Sequence, residues 1–87
     1  MENPTRMKCK VKDLKVGMIM KSLMGASQIL SFEPSEYQKN GKELRVANIK
    51  HYNSNSPHLL NYKKFRYFKS VLGKMETTRI ILPEFPL

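Results

Sequence analysis

The dipeptide Asn40-Gly41 constrains the fold of this 87-residue chain more than any other feature, because it separates two strand-like segments. Alternate positions of SQILSFE (27–33) give one more apolar face, with Leu30 and Phe32, and apolar and polar residues alternate at the start of ELRVANIKHY (43–52). Both patterns have the two-residue period of a β-strand. Asn-Gly favours the positive φ angles of a tight hairpin turn. We therefore predict that the two segments pair antiparallel, and that the first strand ends at Pro34 or extends through Tyr37.

Three further segments have the composition of strands, and they bring the total to five. They cover residues 18–22, the aromatic and basic stretch 59–68, and the β-branched stretch 77–82. Five short strands separated by turn signals predict an all-β fold, a small five-stranded barrel. An α+β alternative stays open, with a helix near residues 59–72, because apolar residues in that stretch also recur at helical spacing.

The length of the chain fits a single small domain. We assign residues 13–87 to the barrel. Residues 1–12 are polar, contain Pro4 and carry basic side chains at alternate positions from 6 to 12. They are therefore predicted to form a flexible basic N-terminal arm.

The order of the elements in the first half of the chain is similar to that of SH3-like small barrels. The residues that carry this resemblance are LKVGMIM (14–20), GASQILSFE (25–33) and NGKELRVANIKHY (40–52). They correspond to a Val-Gly turn, a first strand, a glycine-marked loop and a strand pair. Barrels of this type bind RNA, DNA, peptides or other proteins, so the resemblance implies a fold and a broad range of ligands.

Basic residues are unevenly distributed, and this points to an anionic partner. The chain has 16 Lys and Arg against 7 Asp and Glu, a formal net charge of +9, and no acid occurs from Leu44 to Met75. Within that stretch, YKKFRYFK (62–69) interleaves cations with aromatic rings, the combination that holds phosphates and stacks bases. The candidate nucleic-acid or anion-binding residues are Arg45, Lys50, Tyr62, Lys63, Lys64, Arg66 and Lys69.

The phase of this strand decides which of these side chains act together. Alternation places Tyr62, Lys64, Arg66 and Phe68 on one face and Lys63, Phe65, Tyr67 and Lys69 on the other. We expect the first set to be exposed, with Phe65 and Tyr67 buried. Lys63 and Tyr67 replace Lys64 and Arg66 in the site if the phase is opposite.

The remaining features favour a binding protein over an enzyme. Known catalytic and phosphate-loop motifs are absent, and the single Cys9 with two distant histidines lacks the spacing of a metal site. We therefore expect no cofactor and no metal. The sequence has no apolar run of membrane-spanning length, and MENPTRMKCK contains no signal-peptide core, so we expect a cytoplasmic protein.

Three functions follow as hypotheses from different classes. The first is a non-enzymatic nucleic-acid-binding module that favours RNA or single strands, because no recognition helix for a duplex groove is predicted. The second is an inhibitor of the kind made by phages and mobile elements, which docks on an acidic host protein. The third is a sponge that binds a small anionic nucleotide. A monomer or a homodimer is expected, since so small a barrel leaves a strand edge.

Overall fold

A computed structural model describes residues 7–23, 25–53 and 65–83 of the chain. These residues form one antiparallel sheet of six strands in the order β1-β6-β2-β3-β4-β5. The strands are β1 (Met7–Lys10), β2 (Ile19–Ser22), β3 (Gly25–Tyr37), β4 (Glu43–Asn53), β5 (Phe65–Lys74) and β6 (Thr78–Leu82), and a short 3-10 helix, η1 (Val11–Asp13), follows β1. The all-β prediction is confirmed. The sheet is not closed into a barrel, and β1 and β5 form its two edges.

The hairpin predicted at Asn40-Gly41 is confirmed. β3 and β4 pair antiparallel from Gly25 with Asn53 to Tyr37 with Glu43, and Gly41 has a φ of 85° in the turn. Of the two predicted ends of the first strand, Pro34 is wrong and Tyr37 is confirmed, because β3 continues through Pro34 to Tyr37. The register of the β3–β4 pair shifts between Glu33 and Glu36, and such a bulge is where a sheet accepts proline.

The stretch from Phe65 onward is a strand and not the helix of the α+β alternative. β5 pairs with β4 from Phe65 with Tyr52 to Lys74 with Leu44, so the strand runs six residues beyond the predicted end at residue 68. The aromatic residues Phe65, Tyr67 and Phe68 favour extended backbone, and this preference prevails over the helical spacing. Residues 59–64 lie outside the described part of the chain.

The structure differs from the sequence prediction at the N-terminal side. Residues 7–12, assigned above to a flexible arm, form β1 and most of η1, while residues 1–6 lie outside the described residues. Lys8 and Lys10 alternate with Met7 and Cys9, and this alternation is the period of a strand. Val11 then enters the core with no exposed surface.

One hydrophobic core forms on one side of the sheet and includes Val11 of η1. Its buried members are Val11, Leu14, Met20, Ile29, Ala47, Ile49, Leu72 and Ile81. Paired residues in neighbouring strands share a face, so Ile29, Ala47 and Ile49 define the core-side face of β3 and β4. The opposite face of β4 and β5 is called the outer face below. The described residues contain no helix of the length and apolar character that a membrane crossing needs.

Candidate functional site

The outer face of β4 and β5 brings two lysines together around an exposed tyrosine. Lys50 of β4 pairs directly with Tyr67 of β5, and Asn48 pairs with Lys69. Cross-strand partners have Cβ atoms about 4.5–5.5 Å apart, and residues two apart on one strand are separated by about 7 Å. Tyr67 is 66% exposed. Tyr67 is therefore exposed, with Lys50 as its neighbour across the strands and Lys69 two residues along its own strand.

Lys50 is positioned by aromatic contacts at the end of this face. Its Nζ atom lies 4.2 Å from the centroid of the Phe65 ring, in a cation–π contact. The Phe65 ring in turn packs at 5.9 Å from the ring of buried Tyr52, with an interplanar angle of 54°. This arrangement directs the ammonium group of Lys50 along the face toward β5 and limits its rotamers.

A polar network borders the same face on β3. Asn48 Nδ2 donates to Ser31 Oγ at 2.9 Å and to Glu33 Oε2 at 2.6 Å. The Glu33 carboxylate is the acidic group nearest to this face in the strand pairing, and it lies two strands away from Lys69. The hydrogen bond from Asn48 holds the Glu33 carboxylate on the β3 side of this face.

The core-side face of β5 carries a second set of polar and aromatic side chains. Arg66 pairs with His51 and Phe68 pairs with Ile49. The Phe68 ring lies 5.9 Å from the His51 ring and 5.6 Å from the Arg66 guanidinium carbon. Ser27 Oγ and His51 Nδ1 are hydrogen bonded at 2.7 Å. Phe68 is therefore already engaged by its neighbours, whereas Tyr67 is more open.

Arg45 has a structural environment that differs from the other candidates. Its Nη1 atom donates to the carbonyl oxygens of Val11, Lys12 and Leu14 at 2.8, 3.1 and 2.9 Å. Its guanidinium carbon lies 3.7 Å from the centroid of the Phe32 ring. These contacts tie η1 to β4, so this cation is committed to the fold.

The seven predicted site residues are therefore divided among several places. Lys50 and Lys69 lie together on the outer face, Arg66 lies on the core-side face of the same strand, and Arg45 lies at η1. The predictions for Tyr62, Lys63 and Lys64 fall outside the described residues. The expected burial of Tyr67 is wrong, because β5 is an edge strand whose side chains from Arg66 to Lys69 are all exposed.

Two residues of the site were missed or misplaced by sequence reasoning. Tyr67 shares a face with Phe65 by strand alternation, and that face was expected to be buried. Asn48 is not among the residues predicted for the site, although its position two residues before Lys50 places both on one face. The two-residue period of a strand was therefore the signal that could have identified Asn48.

Basic residues near β1 are arranged differently, because an acid neutralises them. Glu76 forms salt bridges with Lys10 at 2.9 Å and with Lys12 at 3.0 Å. Hydrogen bonds from these two ammonium groups hold the pKa of Glu76 below its ordinary value, and the hydrogen bond to Glu76 raises the pKa of Lys10. Within the described ranges, no salt bridge involves Arg66 or Lys69.

The residues described here contain no cluster of three His, Cys, Asp or Glu side chains suited to a metal ion. No protein-family model matches the chain. Neither a curated protein nor a solved structure is significantly similar to it. The function must therefore be argued from the outer face itself.

Proposed function

We propose that this protein is a non-enzymatic nucleic-acid-binding module that holds a single strand, RNA or DNA, on the outer face of β4 and β5. The observation that carries the proposal is the exposed ring of Tyr67 between Lys50 and Lys69 on one face. A base stacks on an aromatic ring while neighbouring cations contact its phosphates. Both kinds of group lie here within the reach of one nucleotide.

The preference for single strands follows from the shape of the site. A stacked base requires an accessible face, and bases inside a duplex are already stacked on one another. The described elements include no helix that could enter a major groove. Tyr67 stands on an edge strand, so a flexible strand reaches its ring from the side as well as from above.

The SH3-like interpretation belongs to this proposal and has support in the connectivity. Strands β2 to β5 follow one another as neighbours in the sheet, and β6 returns to pair with β2. This is the order expected of such a barrel, opened between β5 and the short β1. A cytoplasmic location also remains part of the proposal and rests on the single thiol of Cys9.

The competing functions predict different ligands for the same cations. A phage-type inhibitor would dock the outer face on an acidic protein and would not need a stacking ring. A nucleotide sponge would bind a small anion tightly and an oligonucleotide weakly. Tyr67 favours the nucleic-acid function over the first of these, and tighter binding of a small nucleotide than of an oligonucleotide would favour the second.

The test is fluorescence anisotropy of a labelled single strand of roughly 20 nucleotides and of its duplex, at about 50 and about 200 mM salt. Tyr67→Ser should weaken single-strand binding about 5–100-fold, because stacking contributes about 1–3 kcal/mol per base. Lys69→Gln should weaken binding less and reduce the salt slope by about one. Matched controls are Tyr37→Ser and Lys39→Gln, an exposed tyrosine and lysine at the far end of β3 and in its turn.

Binding by the wild type and both controls, with losses confined to Tyr67→Ser and Lys69→Gln, would support the proposal. If neither oligonucleotide binds at the lower salt, the proposal is wrong. Equal losses in the site variants and in the controls would also reject it, since binding would then depend on total charge and not on this face.

A further inference from the structure

The edge of β5 is the longest open strand edge in the described part of the chain. β5 has ten residues and pairs there with β4 alone, whereas the opposite edge, β1, has four. In an antiparallel strand, alternate N–H and C=O groups point away from the paired neighbour. At the C-terminal end this edge is closed, because Arg79 Nη1 donates to the Leu72 carbonyl oxygen at 2.8 Å. The open stretch is therefore Arg66–Val71.

Two cations in this open stretch oppose its pairing with another strand. Tyr67, Phe68 and Val71 are 66%, 41% and 47% exposed, so the edge offers apolar surface as well as main-chain groups. Arg66 and Lys69 lie among them, and charged side chains on an edge strand oppose its pairing with another strand. With a net charge of +9 per chain, two copies also repel one another as whole molecules.

Symmetry selects one register for the pairing of two such edges. In an antiparallel pair, directly opposed residues have their side chains on the same face of the sheet. A two-fold axis between two β5 strands must therefore pass through a residue that faces its own copy, and not between two residues. The open stretch Arg66–Val71 allows an overlap of five residues with its copy when the axis lies at Phe68 or at Lys69. The axis at Phe68 is the one that does not oppose two lysines. Phe68 then faces Phe68 of the copy, Tyr67 faces Lys69, and Arg66 faces Ser70.

Each cross-strand pair in this register is compatible. The paired Phe68 rings form an aromatic contact on the core-side face, and Tyr67 beside Lys69 forms a cation–π pair on the outer face. No two cations stand directly opposite one another. A register shifted by one residue, with the axis at Lys69, would instead oppose two lysines.

We propose that β5 pairs with β5 of a second copy about an axis at Phe68, and that a bound single strand drives this pairing. The inference rests on the proposed function. Pairing joins the outer faces of two copies into one surface, so that each nucleic-acid site gains the partner copy's lysine next to Tyr67. One chain thus provides only half of the nucleic-acid-binding surface that two paired chains form.

Coupling to the ligand follows from the charges. The two copies of Lys69 stand diagonally across the axis, about 7–8 Å apart, which is inside the Debye length of about 8–10 Å at moderate salt. Their repulsion keeps unliganded copies apart. Phosphates lying across the axis neutralise both lysines, and the edge then pairs through its main chain and its aromatic rings.

The test is sedimentation velocity with a single strand of roughly eight nucleotides, a length that one small module covers. The wild type should sediment as one chain alone and as two chains with the oligonucleotide. Phe68→Lys places two lysines face to face at the axis but leaves the outer face intact, so it should bind the oligonucleotide as one chain. Tyr37→Lys adds the same charge far from β5 and should behave as wild type.

Disulfide trapping provides a second measurement that does not require the Phe68→Lys variant to fold. In a Cys9→Ser background, Phe68→Cys should cross-link to its copy on oxidation when the oligonucleotide is present, because opposed residues at the axis are near disulfide distance. Val71→Cys, which faces Phe65 of the copy, should not. The inference is wrong if the wild type binds the oligonucleotide as one chain, or if Phe68→Cys and Val71→Cys cross-link equally. In either case, binding of the oligonucleotide would still support the proposed function.

Discussion

The two edges of the sheet both carry cations, but only one of them keeps a local acid. At the β1 edge, Lys10 and Lys12 share the carboxylate of Glu76. At the β5 edge, Arg66 and Lys69 form no salt bridge within the described residues, and the nearest carboxylate in the strand pairing, Glu33, lies two strands from Lys69. The position of a few acids, more than the number of lysines, therefore decides which basic surface remains open to an anion.

The largest expected effect comes from Arg45, which ties the element after β1 to the strand beside β5. Arg45→Ala removes three hydrogen bonds to the carbonyls of Val11, Lys12 and Leu14 and should lower the free energy of unfolding by about 2–3 kcal/mol. Urea unfolding of the variant measures this loss. Oligonucleotide affinity per folded molecule should not change, because this guanidinium is committed to the fold.

Arg66→Ala is the matched control, since Arg66 is an exposed arginine on β5. Its effect on unfolding should stay within about 0.5 kcal/mol. If Arg66→Ala destabilises the protein as much as Arg45→Ala does, then the distinction between a structural and an exposed arginine is wrong.

An acid transplanted to β5 should give that edge the neutralised character of β1. Val71 is 47% exposed and follows Lys69 by two residues on the outer face, so Val71→Glu places a carboxylate beside that lysine. We expect the salt slope of oligonucleotide binding to fall by about one. Anisotropy titrations at several salt concentrations provide the measurement, and Val16→Glu, an exposed valine before β2, should leave the slope nearly unchanged.

The smallest effect is expected when the acid at β1 is removed. Hydrogen bonds from Lys10 and Lys12 lower the pKa of Glu76 in the folded protein, so these bonds stabilise the fold above the ordinary carboxyl pKa. Their contribution disappears as the pH falls through the lowered pKa. Glu76→Gln should therefore reduce the melting temperature slightly at neutral pH and not at strongly acidic pH. An equal decrease in the melting temperature of Glu76→Gln at both pH values would contradict a stabilising role for the ionised Glu76 carboxylate.

The strands were largely predictable from the sequence, because local patterns determine them. The turn at Asn40-Gly41 needs only the positive φ of Gly41 and two flanking strand-like segments. Pro34 was misjudged because a bulge in β3, which depends on the pairing with β4, makes room for it. Residues 7–12 were misassigned for the same kind of reason, since β1 gains its pairing from β6, which lies about seventy residues later in the chain.

The candidate site was predictable in composition but not in arrangement. The absence of acids from Leu44 to Met75 identified the region that contains Lys50 and Lys69. Which cations share a face depends on the register of β4 against β5 and on β5 being an edge, and neither follows from local spacing. Arg45 illustrates the limit of composition, because its three carbonyl partners come from residues more than thirty positions away.

The short β1 strand also covers a strand edge whose composition favours aggregation. β6 contains Ile80, Ile81 and Leu82 in succession, and a strand of this composition pairs readily with other chains when its edge is free. β1 occupies that edge from Thr78 to Ile81 and replaces it with an outer strand that carries Lys8 and Lys10. A four-residue strand with little core of its own thus removes the edge at which β6 would otherwise be open to pairing with another chain.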